Sequence, residues 1–217
     1  MIINMCFHGI GRCVTEREPG ESRYWVDEEL FLRVLDEVVD RSDVRLSFDD
    51  GNSSDFELAL PALRERGLTA TFFALAGRLD DPVSLGRSEL RELRSAGMEV
   101  GSHGWAHVPW RGLNEADARR ELIEARGALA EASAGAIDEA AMPLGRYDRQ
   151  LLARLRAAEY RAVFTSDRLP ARPDAWLQPR YSVTATDTVD SVRAFLSQRA
   201  SLRNVRNIAA GFVKRIR

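Results

Sequence analysis

Short apolar runs alternate along this chain with longer stretches in which apolar positions recur every three or four residues. Residues 2–7, 44–48, 69–76, 98–100, 140–143 and 162–165 read as buried strands, and 27–40, 54–66, 88–96, 114–134 and 148–158 read as helices. Leu30, Phe31, Val34, Leu35, Val38 and Val39 form one helical stripe; Ala118, Leu122, Ala125 and Leu129 form another; Leu151, Leu152 and Leu155 repeat the pattern. Asp27, Ser88 and Asn114 stand where N-caps belong, and Ser54 with Glu57 has the spacing of a capping box. Gly67 and Gly97 fall where helices should stop. Such alternation predicts a parallel sheet with helical crossovers. No linker-like change of composition or internal repeat divides the chain, so residues 1–217 read as a single domain.

Composition narrows the class. A chain of 217 residues with 45% hydrophobic and 29% charged residues has the make-up of a folded soluble protein. A net charge of −2 argues against a nucleic-acid partner. No stretch reaches the length of a membrane-spanning helix, the N-terminus lacks the basic region of a signal peptide, and cysteine is restricted to Cys6 and Cys13. These features lead to a cytoplasmic expectation. From 197 to 217 there is no acidic residue, and Arg199, Arg203, Arg206, Lys214 and Arg217 share one helical face opposite Leu202, Val205, Ile208, Phe212 and Ile216. The plain reading is a last helix packed on the domain with a solvated basic face; the sharper one is a weak contact with a membrane surface.

Candidate chemistry concentrates at two strand ends. The run at 44–48 closes on Phe48 and passes into Asp49, Asp50 and Gly51; the run at 98–100 leads to His103 and, four residues later, His107. The chain has three histidines, and two of them occupy this one segment. One carboxylate and two imidazoles make a three-ligand set for a divalent ion that keeps a position open for water, and the second carboxylate can serve as a general base. Parallel α/β folds carry their chemistry at the C-terminal ends of their strands, where both segments lie. The pattern is that of a metal-dependent hydrolase.

These segments resemble the polysaccharide deacetylases of carbohydrate esterase family 4, the NodB-homology domain. Ser47, Phe48, Asp49 and Asp50 stand in place of the family's Thr-Phe-Asp-Asp motif. His103, Gly104, Trp105, Ala106 and His107 stand in place of His-Ser/Thr-x-x-His, departing only at the small second residue. Similarity continues through 59–73, 89–103 and 143–148 and covers about residues 2–183. The resemblance implies an irregular (β/α) barrel of about seven units. It also implies removal of an N-acetyl group from an amino sugar, whether in a polysaccharide, an oligosaccharide or a lipid- or nucleotide-linked precursor. Asp50, His103 and His107 would hold one divalent metal, with Zn2+ the expected ion, and Asp49 would act as catalytic base. Removal of another acyl group, such as formyl, and a non-catalytic sugar-binding domain are the alternatives.

Two departures affect the catalytic assignment. The family's third motif, Arg-x-Pro-x-Gly, provides an Arg that pairs with the catalytic Asp; here Ala141 begins the matching run Ala141, Met142, Pro143, Leu144 and Gly145. Arg146, just after the glycine, could reach the site from the other side or stay exposed. Pro143, Leu144, Gly145 and Arg146 are expected to line the substrate site, with a backbone N–H after Pro143 assisting the oxyanion. The family's C-terminal Leu-x-His, source of the proton for the leaving amine, has no counterpart, since no His follows His107. His8, at the end of the first strand, is the candidate for a relocated acid; as such it should lie across the metal from Asp49, with room for substrate between them. A structural His at the strand end is its alternative. Trp176 resembles an aromatic of the fourth motif and would wall the acetyl pocket, and Trp110, with Trp105, would form a stacking rim, with core packing as the alternative for each.

Overall fold

The computed structural model describes residues 1–197, 211, 213 and 214. Seven parallel strands close into a barrel in the order β1 (Ile3–Phe7), β4 (Val44–Phe48), β5 (Ala70–Ala74), β6 (Glu99–Ser102), β7 (Glu139–Ala141), β8 (Ala162–Thr165) and β9 (Leu177–Ser182), with β9 returning to pair with β1. Two short strands, β2 (Gly9–Ile10) and β3 (Trp25–Val26), form a separate parallel pair beside the mouth. Helices α1 (Glu28–Val38), α2 (Leu60–Glu65), α3 (Arg87–Ser95), α4 (Glu115–Arg119), α5 (Ala125–Ser133), α6 (Arg149–Ala157) and α7 (Val189–Leu196) fill the crossovers and the C-terminal side. This is the irregular (β/α) barrel that the alternating pattern and the motif resemblance predict. Among the described residues, no helix is long and apolar enough to cross a membrane.

Side-chain alternation along the strands separates two environments. Ile3, Met5 and Phe7 of β1 join Leu46 and Phe48 of β4, Phe72 of β5 and the α1 residues Phe31, Val34 and Leu35 in the main core. Phe48 stacks on Phe72 at 4.7 Å, and Phe7 meets Phe31 edge-on at 5.1 Å. The alternate positions, Asn4 and Cys6 of β1, Ser47 of β4, and Gln178 and Arg180 of β9, are buried polar or small groups facing the barrel interior. Asn4 Nδ2 donates to Gln178 Oε1 across the β1–β9 seam.

Local details correct several expectations. Asp27 and Asn114 cap their helices through side-chain oxygens, but α3 starts at Arg87 with Gly86 as its N-cap, so Ser88 lies inside it. Ser54 makes no capping bond; its Oγ instead accepts from Ile10 N–H and ties the helix start to β2. Val39 is exposed, outside the α1 stripe. The sequence pattern missed β9, because Pro179 and Arg180 interrupt any apolar run there, and it missed α7. Of the basic C-terminal face, Arg199, Arg203, Arg206 and Arg217 lie outside the described residues. Lys214 is half-buried and paired: its Nζ donates to Asp167 Oδ1 at 2.7 Å and to the Gly145 carbonyl at 3.3 Å.

Candidate active site

The strand pairings bring the chemistry to one end of the barrel. Phe7 and Phe48 are register partners, so the residues that follow them, His8 and Asp49, emerge side by side. β6, beside β5, delivers His103 to the same mouth. A cleft of about 300 Å³ opens there, lined by His8, Asp49, Asp50, His103, His107 and Arg180, with Glu18, Tyr24 and Arg78 on one side and Leu144, Gly145, Arg146 and Ser166 on another.

Two left-handed residues shape the ligand set. Asp50 has φ 72 and His107 has φ 56, conformations costly for residues with a Cβ and concentrated where surrounding structure imposes them at functional sites. The turn at Asp50 brings its carboxylate to the mouth beside that of Asp49. The turn at His107 directs its ring back towards His103, 5.2 Å away between centroids.

Hydrogen bonding then fixes the imidazoles. His103 Nδ1 lies 2.9 Å from the Ala141 carbonyl, and His107 Nδ1 lies 2.6 Å from Glu18 Oε1. A carbonyl and an ionised carboxylate only accept, so each Nδ1 carries the proton and each Nε2 presents a lone pair. Both lone pairs converge on Asp50 Oδ1, at 3.4 Å from His103 and 3.2 Å from His107. That oxygen is buried and, among the described residues, has no hydrogen-bond partner. Three electron-rich atoms facing one another without donors is an arrangement that a cation satisfies, and Asp50, His103 and His107 fit a divalent metal with a nitrogen and oxygen donor set.

Asp49 is engaged differently. Arg180, on β9, grips it with both terminal nitrogens, Nη1 to Oδ1 and Nη2 to Oδ2, each at 2.6 Å, while Nη1 also donates to Ser47 Oγ at 3.1 Å. The pair is almost wholly buried, and its fork geometry is the strong form of an ionic hydrogen bond. Burial would raise the pKa of Asp49, but the Arg180 guanidinium reverses this and holds it below the ordinary carboxylate value.

Arg180 resolves the missing arginine of the third motif. Ala141 occupies that arginine's place, packed with Phe73 and Phe164 inside the barrel. The Arg180 guanidinium lies over those two rings, at 5.3 and 5.7 Å, and reaches Asp49 from β9, with only β1 between β9 and β4. Arg146 is exposed and does not touch Asp49. A sequence signal for Arg180 exists: Gln178, Arg180 and Ser182 alternate with Pro179, Tyr181 and Val183, a period-two pattern whose polar face points inward.

The small residue of the second motif also has a physical cause. Glu121, buried in the helix that follows, accepts from the backbone N–H of Trp105 at 2.7 Å and Ala106 at 3.1 Å, and from Trp110 Nε1 at 3.2 Å. A Cβ at Gly104, where φ is 92, would stand 2.4 Å from Glu121 Oε2 and 2.8 Å from Trp110 Nε1. Glycine is therefore required, and Glu121 shapes the loop between the two histidines.

Other expected positions divide. Leu144, Gly145 and Arg146 line the cleft, whereas Pro143 is buried beside it. Trp110 is 1% exposed and spends its indole N–H on Glu121, so it is a core residue and not a rim. Trp176 immediately precedes β9 and therefore sits at the far end of the barrel, donating to the Tyr160 carbonyl under the Arg156 guanidinium. It does not wall the cleft. His8 lines the cleft, but the gap expected between it and Asp49 is absent: His8 Nε2 stands 4.0 Å from Asp49 Oδ2, because neighbouring strands in register deliver both. Tyr24 packs on the His8 ring at 4.7 Å, and burial lowers the His8 pKa despite Asp50 and Asp49.

Comparison with known proteins bears on the family and the fold. Residues 36–163 match the family model described as Polysaccharide deacetylase. YxkH of Bacillus subtilis, whose name places it among the polysaccharide deacetylases, is 23% identical over 124 residues, covering 57% of this chain. The chain spans only 44% of that relative's length. Among solved structures, the Streptococcus pyogenes deacetylase PplD in complex with acetate superposes with a TM-score of 0.77 at 17% identity, covering 91% of this chain and 98% of that one. IcaB from Ammonifex degensii gives 0.74 at 21%, covering 91% and 97%. At such identities the structural likeness concerns the fold. With more than half of its length matched by the family model, the chain belongs to the polysaccharide deacetylase family.

Proposed function

We propose that this protein is a metal-dependent hydrolase that removes the N-acetyl group from an amino sugar. The observation that carries the reading is the convergence of His103 Nε2, His107 Nε2 and Asp50 Oδ1, all aimed at one point beside an arginine-clamped Asp49. Asp50, His103 and His107 would hold one divalent ion, with Zn2+ favoured by two imidazoles and a carboxylate. Such an ion, when bound, polarises water and the acyl carbonyl.

The chain's own groups perform the remaining work. Asp49, held by Arg180 in one orientation, accepts the proton of the attacking water. A backbone N–H after Pro143, that of Leu144, would assist the oxygen that gains charge, since the Gly145 N–H is spent on the Met142 carbonyl. His8 supplies the proton to the departing nitrogen from beside Asp49, at the same edge of the cleft. Leu144, Gly145 and Arg146 contact the sugar. A binding-only domain is less well supported, because Arg180 makes the contact with Asp49 that the third motif lacks. Acetate release should be measured across N-acetylated chitooligosaccharides and lipid- and nucleotide-linked amino sugars, after chelation and after zinc addition. Zinc-dependent release from at least one sugar supports the proposal; no release from any, with zinc bound, favours a binding-only role, and release only from N-formyl analogues would exchange the acyl group.

A further inference from the structure

His103 and His107 are held by unlike partners. The partner of His103 is a backbone carbonyl of β7, part of the barrel wall. The partner of His107 is a carboxylate on the loop between β2 and β3, remote in sequence from both motifs. Glu18 Oε1 accepts a hydrogen bond from His107 Nδ1 at 2.6 Å and another from Arg78 Nη2 at 3.2 Å. Its neighbour Arg17 secures the loop, donating through Nη1 to Ser84 Oγ at 2.8 Å and through Nη2 to Asn52 Oδ1. The segment that carries Arg78 is in turn tied to the histidine loop, since Gly77 N–H donates to the Trp105 carbonyl at 2.9 Å.

Resting on the metal-centre reading above, we propose that Glu18 is a positioning residue of that centre: its carboxylate holds the His107 ring so that Nε2 faces the ion. A carboxylate behind an imidazole fixes the tautomer, orients the ring and makes the ligand nitrogen more basic, and losing such a partner weakens metal binding by about 10- to 100-fold. His107 needs the support more than His103, because its backbone is left-handed and it lies in a loop. The loop between β2 and β3 thereby contributes to zinc affinity without contributing a ligand.

The test is zinc affinity by competition with a chromogenic chelator, on folded wild type, Glu18→Ala and the isosteric Glu18→Gln, each verified by near-ultraviolet circular dichroism. Glu18→Ala should weaken zinc binding about 10- to 100-fold. Glu18→Gln, which keeps an acceptor but loses the charge, should recover part of that loss, and saturating zinc should restore most turnover to both variants. Zinc affinity of Glu18→Ala within twofold of wild type would overturn the assignment of Glu18 while leaving the metal centre standing. A wild type that binds no zinc would overturn the metal-centre reading itself, and this inference with it.

Discussion

Arg180 and Asp49 face each other across the barrel interior, from β9 to β4 with β1 between those strands, and join through two 2.6 Å hydrogen bonds. Each is 2–3% exposed at its side chain, so neither can exchange its partner for water. Arg180→Met should leave a buried carboxylate without its counter-charge and cost about 3–5 kcal/mol, read by chemical denaturation. Turnover should fall by about 10² or more while zinc binding persists, since Asp50, His103 and His107 are untouched. Loss of zinc with intact turnover would contradict this division of labour.

Gly104 and Glu121 give a second test. Gly104→Ser puts a Cβ against Glu121 Oε2 and Trp110 Nε1 at a backbone angle that favours glycine. The variant should lose about 1–3 kcal/mol, the usual cost of overpacking a filled site, measured by denaturation. Glu121→Ala removes the acceptor shared by Trp105, Ala106 and Trp110 and should both destabilise the fold and weaken zinc binding, because the histidine loop loses its anchor.

The acid side of the stability profile should depend on Asp187. Desolvation acts to raise its pKa, but hydrogen bonds from Tyr181, Ser191 and Thr184 outweigh that and hold it below the ordinary value. A carboxyl whose folded pKa is depressed contributes stability that is fully present above its unfolded pKa of about 3.9 and is lost as pH falls through the folded value. Asp187→Asn should therefore be less stable than wild type near neutrality, and the difference should shrink below about pH 4. A difference that stays constant down to pH 2 would rule out this contribution.

His8→Ala separates proton donation from metal binding. His8 is outside the convergent ligand set, so zinc occupancy should be unchanged, while turnover should fall by about 10² to 10⁴. Near-normal turnover would leave His8 a strand-end residue packed under Tyr24.

The sequence made the barrel's first units legible because their strands are apolar and their helices carry clean stripes. Asp49, Asp50, His103 and His107 were legible because each pair sits within five residues, directly after a strand. Arg180 and Glu18 were not, since each reaches the site from an element remote in the chain and sequence spacing carries no record of such a meeting; Glu121 was not, because a single acidic residue in a helix looks like a solvated one. β9 escaped notice for the reason that makes it useful: it presents Gln178, Arg180 and Ser182 to a polar barrel interior, and its apolar face is broken by Pro179. Trp110 suggested a sugar-stacking rim and Trp176 an acetyl-pocket wall, but the first is spent in the core and the second stands at the wrong end of the barrel.

Zinc stoichiometry in wild type, Asp49→Asn and Asp50→Asn tests the central claim most directly. Wild type and Asp49→Asn should each hold one zinc per chain, with turnover lost only in the variant, and Asp50→Asn should lose most of its zinc because the oxygen facing both imidazoles is weakened. Retention of zinc by Asp50→Asn together with its loss from Asp49→Asn would exchange the roles of the two carboxylates and contradict the account.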